Sequence, residues 1–189
     1  IRLLVPFAPG GGTDIIARVT AQKVSDAWGQ PIVVDNRSGG GGTIAAQTAA
    51  AAAPDGYTLF LPSISIAYAP AVYSKLPYNT ADLAPAILVA TQQNLLVVHP
   101  AVPAKSVMEL VALAKAKPGT LNCAHSGPGT TAHLGCEMLK SAAKIDIVPI
   151  PYKGTVPAII DVVAGQAQHR ECGRGDAVVH VALDVGPAF

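Results

Sequence analysis

The chain has 189 residues, with 13 Lys+Arg against 12 Asp+Glu and a formal net charge of +1; 50% is hydrophobic and only 13% is charged. Soluble domains usually carry about 25% charged residues, so this surface is built largely from neutral groups. The composition offers no basic block for phosphate neutralisation and too much apolar material for disorder, which sets aside nucleic-acid binding and an unstructured chain.

The length suits one large domain or two small ones. No apolar run reaches the ~18 residues of a membrane span. Residues 1–7 open as a strand-like run with no signal peptide before them, so removal of an upstream segment is expected. The run ends at Pro9 and the glycines Gly10, Gly11 and Gly12. Residues 13–28 show helical spacing, with Ile16, Thr20, Val24 and Trp28 on one face, Ala17 and Ala27 beside them, and Asp14, Arg18, Gln22 and Asp26 opposite. Gly29 and Pro31 stop that helix. A strand over 32–35, a glycine loop over 38–42, a helix over 43–53, a turn at Asp55-Gly56 and a strand over 57–61 follow. This alternation implies a parallel sheet covered by helices.

The rhythm changes next. Residues 86–90 and 94–99 read as strands with no helix between them, which marks a crossing into a second lobe. Ser106 and Glu109 form a capping box for a helix that stops at Pro118-Gly119. A strand over 120–124, a helix over 130–141, a strand over 145–150 and a helix from Thr155, with Pro157 in its first turn and Gly165 at its end, repeat the β-α-β-α order.

Chemistry has few places to sit. Glycine- and hydroxyl-rich loops stand between strand and helix at Pro9-Gly-Gly-Gly-Thr-Asp14, Ser38-Gly-Gly-Gly-Gly-Thr43 and Ser126-Gly-Pro-Gly-Thr-Thr131. Ligands of parallel α/β sheets bind beyond the carboxyl ends of the strands. Unpaired amides at a helix start suit an anion, although the same loops also serve as plain tight turns. Asp14 reads as a stabiliser of its helix and loop rather than a base. Gly127-x-Gly129-x-x-Ala132 matches a dinucleotide fingerprint, but the acidic residue at the required distance, Asp146, stands at the start of its strand. No P-loop, nucleophile elbow or zinc-protease motif occurs, so binding is favoured over turnover, with no catalytic residues and no cofactor. The cysteines Cys123, Cys136 and Cys172 give no disulfide framework and read as buried free thiols. Cys123, His125, His133 and Cys136 match no standard zinc spacing, so no metal is expected.

The ordered segments Val5-Pro-Phe-Ala-Pro-Gly-Gly-Gly-Thr-Asp14, Gln30-Pro-Ile-Val-Val-Asp-Asn-Arg37, Ala53-Pro-Asp-Gly-Tyr-Thr-Leu59, Tyr73-Ser-Lys-Leu-Pro-Tyr78, Ser126-Gly-Pro-Gly-Thr-Thr-Ala-His-Leu134 and Pro151-Tyr-Lys-Gly154 are all present. Together they resemble the tripartite tricarboxylate transport receptors, or Bug-type solute-binding proteins, from residue 1 to about 168. The resemblance implies a type II periplasmic-binding-protein-like α/β fold, with two lobes around a cleft (residues 1–98 and 99–168). It implies a periplasmic receptor that captures a dicarboxylate, tricarboxylate or acidic amino acid and delivers it to a membrane permease. Carboxylates would be held by amides, hydroxyls and water. Carried over by motif, first-lobe contacts would come from Pro9, Gly10, Gly11, Gly12 and Thr13, with Ser63 and Ser65. Second-lobe contacts would come from Ser126, Gly127, Gly129, Thr130 and Thr131, with His133 and Tyr152. Lys153 would supply long-range attraction or simply a solvated charge.

The sequence departs from the family pattern at His125, where a small residue is usual, at Pro128, where Asn is frequent, and at Pro62, where glycine is usual. After Gln168 the family continues with an apolar strand and completes both lobes, whereas residues 169–189 diverge. A truncation or changed reading frame is expected to leave both lobes incomplete, with residues 178–183 as a substitute strand and pairing of a normally monomeric receptor as a consequence. A nucleotide-dependent enzyme using the Gly127 loop and a family member that no longer binds are the competing readings.

Overall fold

The structure is a computed structural model and describes residues 1–165 and the strand 178–181. Cys172, and the rest of the divergent tail apart from that strand, lie outside the described residues. The first sheet contains β1 (Arg2–Val5), β2 (Val33–Asn36) and β3 (Thr58–Phe60) in the order β2-β1-β3, all parallel. α1 (Gly12–Trp28) links β1 to β2 and packs on both; α2 (Thr43–Ala50) links β2 to β3 and packs on β3 and β1. The two connections run across the sheet in opposite directions. Right-handed crossovers therefore place α1 and α2 on opposite faces. β1 is the central strand, and its Leu3, Leu4 and Val5 are buried.

α1 begins and ends where its sequence requires. Gly29 takes a left-handed conformation (φ 64) and donates its amide to Ser25 O. Its buried face differs from the expected one. Ala17 and Ala21 are the residues sealed against Leu3 and Val5, while Trp28 is 61% exposed. Small side chains let the helix approach the sheet closely, so the contact line runs along the alanines instead of the larger residues. Asp14, expected on the solvent side, is 2% exposed.

A helix absent from the sequence reading, α3 (Ser65–Val72), follows β3 and contains Pro70. Residues 86–90 form no strand: Ile87 and Leu88 are 82% and 78% exposed and have no ladder partner among the described residues. β4 (Leu96–Val98) is a strand, but it belongs to the second sheet. The crossing between sheets thus falls before Leu96 instead of after residue 98.

The second sheet adds β5 (Asn122–His125), β6 (Val148–Pro151) and β7 (Val178–Val181) in the order β4-β7-β5-β6. β5 runs parallel to β6 and β7, and β4 is antiparallel to β7. The divergent tail therefore does contribute a strand to the slot between β4 and β5. α4 (Val107–Ala116) and α5 (Thr131–Ala143) cover one face, where Leu110, Ala114, Leu121, Cys123, Cys136 and Ile147 form the core. α6 (Thr155–Val163) covers the other through Ala158 and Val162 against Ala124. The alternation of Cys123 and Ala124 between these cores is the two-residue period of a strand buried on both faces. Ser106 caps α4 by accepting the Glu109 amide (3.2 Å), while Glu109 reaches back to the amide of Lys105, one residue beyond the expected Ser106 (2.7 Å).

Candidate functional site

The carboxyl ends of both sheets face a common seam. Ala8, after β1, donates its amide to Lys153 O after β6 (3.3 Å). Tyr73 at the end of α3 hydrogen-bonds Gly40 O (2.8 Å) and reaches Pro128 O in the second unit (3.4 Å). Between these links the Gly39–Gly42 loop after β2 lies directly against the Ser126–Thr130 loop after β5. Gly41 sits at φ 61, and a Cβ there would run into the Pro128 carbonyl. A Cβ on Gly127 would come within 3.1 Å of Gly41 N. Backbone meets backbone at this point, which is why both positions are glycine.

The Pro9–Thr13 loop lies toward the first turn of α6, where a Cβ on Gly10 would come within 3.7 Å of Val156. Sequence reasoning picked out the Gly39–Gly42 loop as a candidate but did not carry it into the predicted contacts. Tyr73 lies in a family-like motif to which no role had been given. Ser65 is 5% exposed and donates to Gly41 O (3.0 Å), while Ser63 Oγ and Ser65 Oγ are 2.7 Å apart. These serines support the Gly39–Gly42 loop from below. The hollow beneath that loop, lined by Pro6, Thr43, Phe60 and Tyr78 among others, holds about 10 Å3, at most a single water. A larger open hollow of about 620 Å3 lies along β2 and the amino ends of β1 and β3, around Ile1, Arg2 and Tyr57, away from the seam.

At the start of α1, Asp14 accepts the Gly10 amide (2.9 Å), Arg18 Nε (2.8 Å) and Asn36 Nδ2 (2.9 Å). Asn36 also donates to Phe7 O (3.0 Å). Burial pushes the Asp14 carboxyl up, but these hydrogen bonds, led by that from Arg18, outweigh it and hold the group below its ordinary value. Asp14 is a structural anchor, as its sequence position suggested. The amides of Gly12 and Thr13, in the first turn of α1, have no hydrogen-bond partner among the described residues.

At the start of α5, Thr130 caps the helix by accepting the His133 amide (3.4 Å) and donates to Gly127 O (2.6 Å). The amides of Gly127 and Gly129 go to Nδ1 of His125 (3.3 Å) and of His133 (3.2 Å). Those of Thr131 and Ala132 have no partner among the described residues. Thr131 Oγ1 bonds Asn94 (3.1 Å), another residue the sequence did not single out. Tyr152 donates its hydroxyl to Asp161 (2.9 Å). Burial, and then Asp161, push this phenol up to about 12. Its proton is therefore spent within α6 and its own strand end.

Two of the expected free thiols are not free: Cys123 and Cys136 form a disulfide across β5 and α5. A thirteen-residue separation looked uninformative in the sequence, and only the packing of α5 on β5 brings the two together. No cluster of metal ligands occurs among the described residues. Asp146 lies at the amino end of β6, where its carbonyl accepts the Gly119 amide (3.0 Å), far from where a dinucleotide ribose would need an acid.

The sequence profile of the tripartite tricarboxylate transporter family receptor matches residues 16–171. The chain belongs to this family. BugT of Bordetella pertussis is 40% identical over 168 residues, and a UPF0065 protein of the same organism is 41% identical over 165. Each alignment takes in 87% of this chain, which spans about half the length of these curated relatives (52% and 51%). Among solved structures, a Rhodopseudomonas palustris protein with adipate superposes with a TM-score of 0.84 at 38% identity, over 88% of this chain and 56% of its own. MatC from the same organism, with bound malate, gives 0.81 at 36% identity, over 88% and 57%. A structure described as a periplasmic transporter gives 0.85 at 40% identity, over 96% and 59%. The fold is that of the periplasmic binding proteins, and the family is one of solute-binding receptors.

Proposed function

We propose that this chain captures a small organic acid with two carboxylates in the periplasm and presents it to a membrane permease of the tripartite tricarboxylate type. The observation that carries the reading is the pair of open helix starts on either side of the seam, Gly12–Thr13 and Thr131–Ala132. Each has unpartnered amides at the carboxyl end of a parallel strand. The Ser126 hydroxyl, and the Nε2–H that His133 keeps when Nδ1 accepts, are the neutral donors beside them. Two of the nearby cations are already paired, Arg18 with Asp14 and Arg37 with Asp35, and Lys153 remains as a long-range charge at the seam. Recognition at the two helix starts therefore rests mainly on dipoles. The solved relatives with adipate and malate support the ligand class. The disulfide supports an oxidising compartment.

Thermal denaturation with malate, adipate, citrate and glutamate tests this. A ligand at a hundred times its Kd should stabilise the fold by about 2.7 kcal/mol. A folded protein whose melting temperature ignores the whole panel would end this reading. Saturable NAD binding would replace it with the nucleotide one.

A further inference from the structure

Cys123 and His125 project from one face of β5, while His133 and Cys136, three residues apart, project from the facing side of α5. The strand and helix are joined twice in succession: by the disulfide, and one step nearer the loop by the imidazoles, whose centroids are 4.7 Å apart. Both cysteines are fully buried, and His125 is 2% exposed. The four side chains do not form a metal site. The sulfurs bind each other, and a neutral ring that accepts an amide at Nδ1 carries its proton on Nε2.

What these side chains hold is the loop. Residues 124–135, enclosed by the disulfide, include the whole Ser126–Thr130 turn and the first residues of α5. The Gly127 and Gly129 amides are tied to the imidazoles, so those donors are turned inward and the Thr131 and Ala132 amides are the ones left open. We infer that Cys123, Cys136 and His125 are positioning residues: the disulfide sets the distance from β5 to α5, the imidazoles meet at that distance, and the loop amides are thereby preset for a carboxylate. The inference rests on the ligand reading above. It makes binding redox-dependent. A dithiol reductant would convert the bond to two thiols, itself becoming a disulfide, and loosen the loop.

The test uses the whole oxidised chain. Mass spectrometry under denaturing conditions should show Cys123 linked to Cys136; unlinked thiols would overturn the inference at once. Cys123→Ala/Cys136→Ala, folded by circular dichroism, should bind malate or adipate about fivefold more weakly. Equal affinity would overturn it. His125→Asn and His125→Ala provide a second route that leaves the disulfide in place. An Asn side chain accepts the amide two residues on, as His125 does for Gly127, so Asn should retain affinity and Ala should lose it. Equal loss in both would make the role merely steric and overturn the positioning claim. If the parent protein binds no acid, the ligand reading fails instead. Hydrogen exchange at Gly127 and Gly129 then decides: faster exchange in the double variant supports the inference, and unchanged exchange overturns it.

Discussion

The Gly10 loop and the Gly127 loop do the same job by different chemistry. Each precedes a helix and has a glycine amide fixed by a side chain from that helix or its strand. In the first unit the acceptor is a buried carboxylate, Asp14, itself held by Arg18 and Asn36. In the second the acceptors are imidazole nitrogens, on a strand and helix that a disulfide joins. An ionic anchor is strong only while it is ionised and fully partnered. The disulfide itself is indifferent to acid and salt but depends on oxidation, whereas each imidazole accepts its amide only while neutral. Both arrangements leave open amides at a helix start, and they differ in what fixes the glycine amide before it.

The largest expected effect breaks the covalent side. Cys123→Ala/Cys136→Ala should lose about 3 kcal/mol in urea unfolding, because the unfolded chain regains the freedom of the enclosed loop. Next, Asp14→Ala removes a buried carboxylate that accepts from Gly10, Arg18 and Asn36 and should cost about 2 kcal/mol by the same measurement. Acid should separate the two anchors. The folded Asp14 carboxyl lies below its ordinary value of 3.8. Its contribution is therefore complete above about pH 4 and is lost as pH falls through the folded value. The Asp14-dependent difference between wild type and Asp14→Ala should shrink on acid titration below pH 4, while the difference made by the disulfide stays constant. The smallest effect is a gain. Lys144 closes α5 in a left-handed conformation (φ 52), which glycine adopts without strain. Lys144→Gly should stabilise the protein by about 1 kcal/mol and leave carboxylate affinity unchanged, because it lies at the far end of α5 from the loop.

Much of the fold was legible because its signals are local. The glycine after Trp28, the Ser106–Glu109 box and the regular return of strand and helix each depend on a few adjacent residues, and the helices stand close to where these signals place them. The failures have non-local causes. Residues 86–90 have strand-like composition but no neighbouring strand to pair with among the described residues. α3 carries Pro70 and few helix signals, and it is held where Ser65 and Ala69 are buried. The expected face of α1 was centred on its large residues, whereas the sheet selected the small ones.

The candidate site divides in the same way. Glycine loops at strand ends, and the amides left open at a helix start, follow from the order of residues and the geometry of a helix. Their partners do not. That Gly41 meets Gly127, that Tyr73 spans to Pro128, that Asp14 is buried and that Cys123 finds Cys136 are distances between segments far apart in the chain, or on opposite sides of a turn. They are set by how helices pack on the two sheets. The sequence alone determined the alternating α/β order, the family and the kind of neutral donors on offer. Tertiary structure decided which loops face each other and what holds them, because through-space contacts form only once both sheets and their helices are packed.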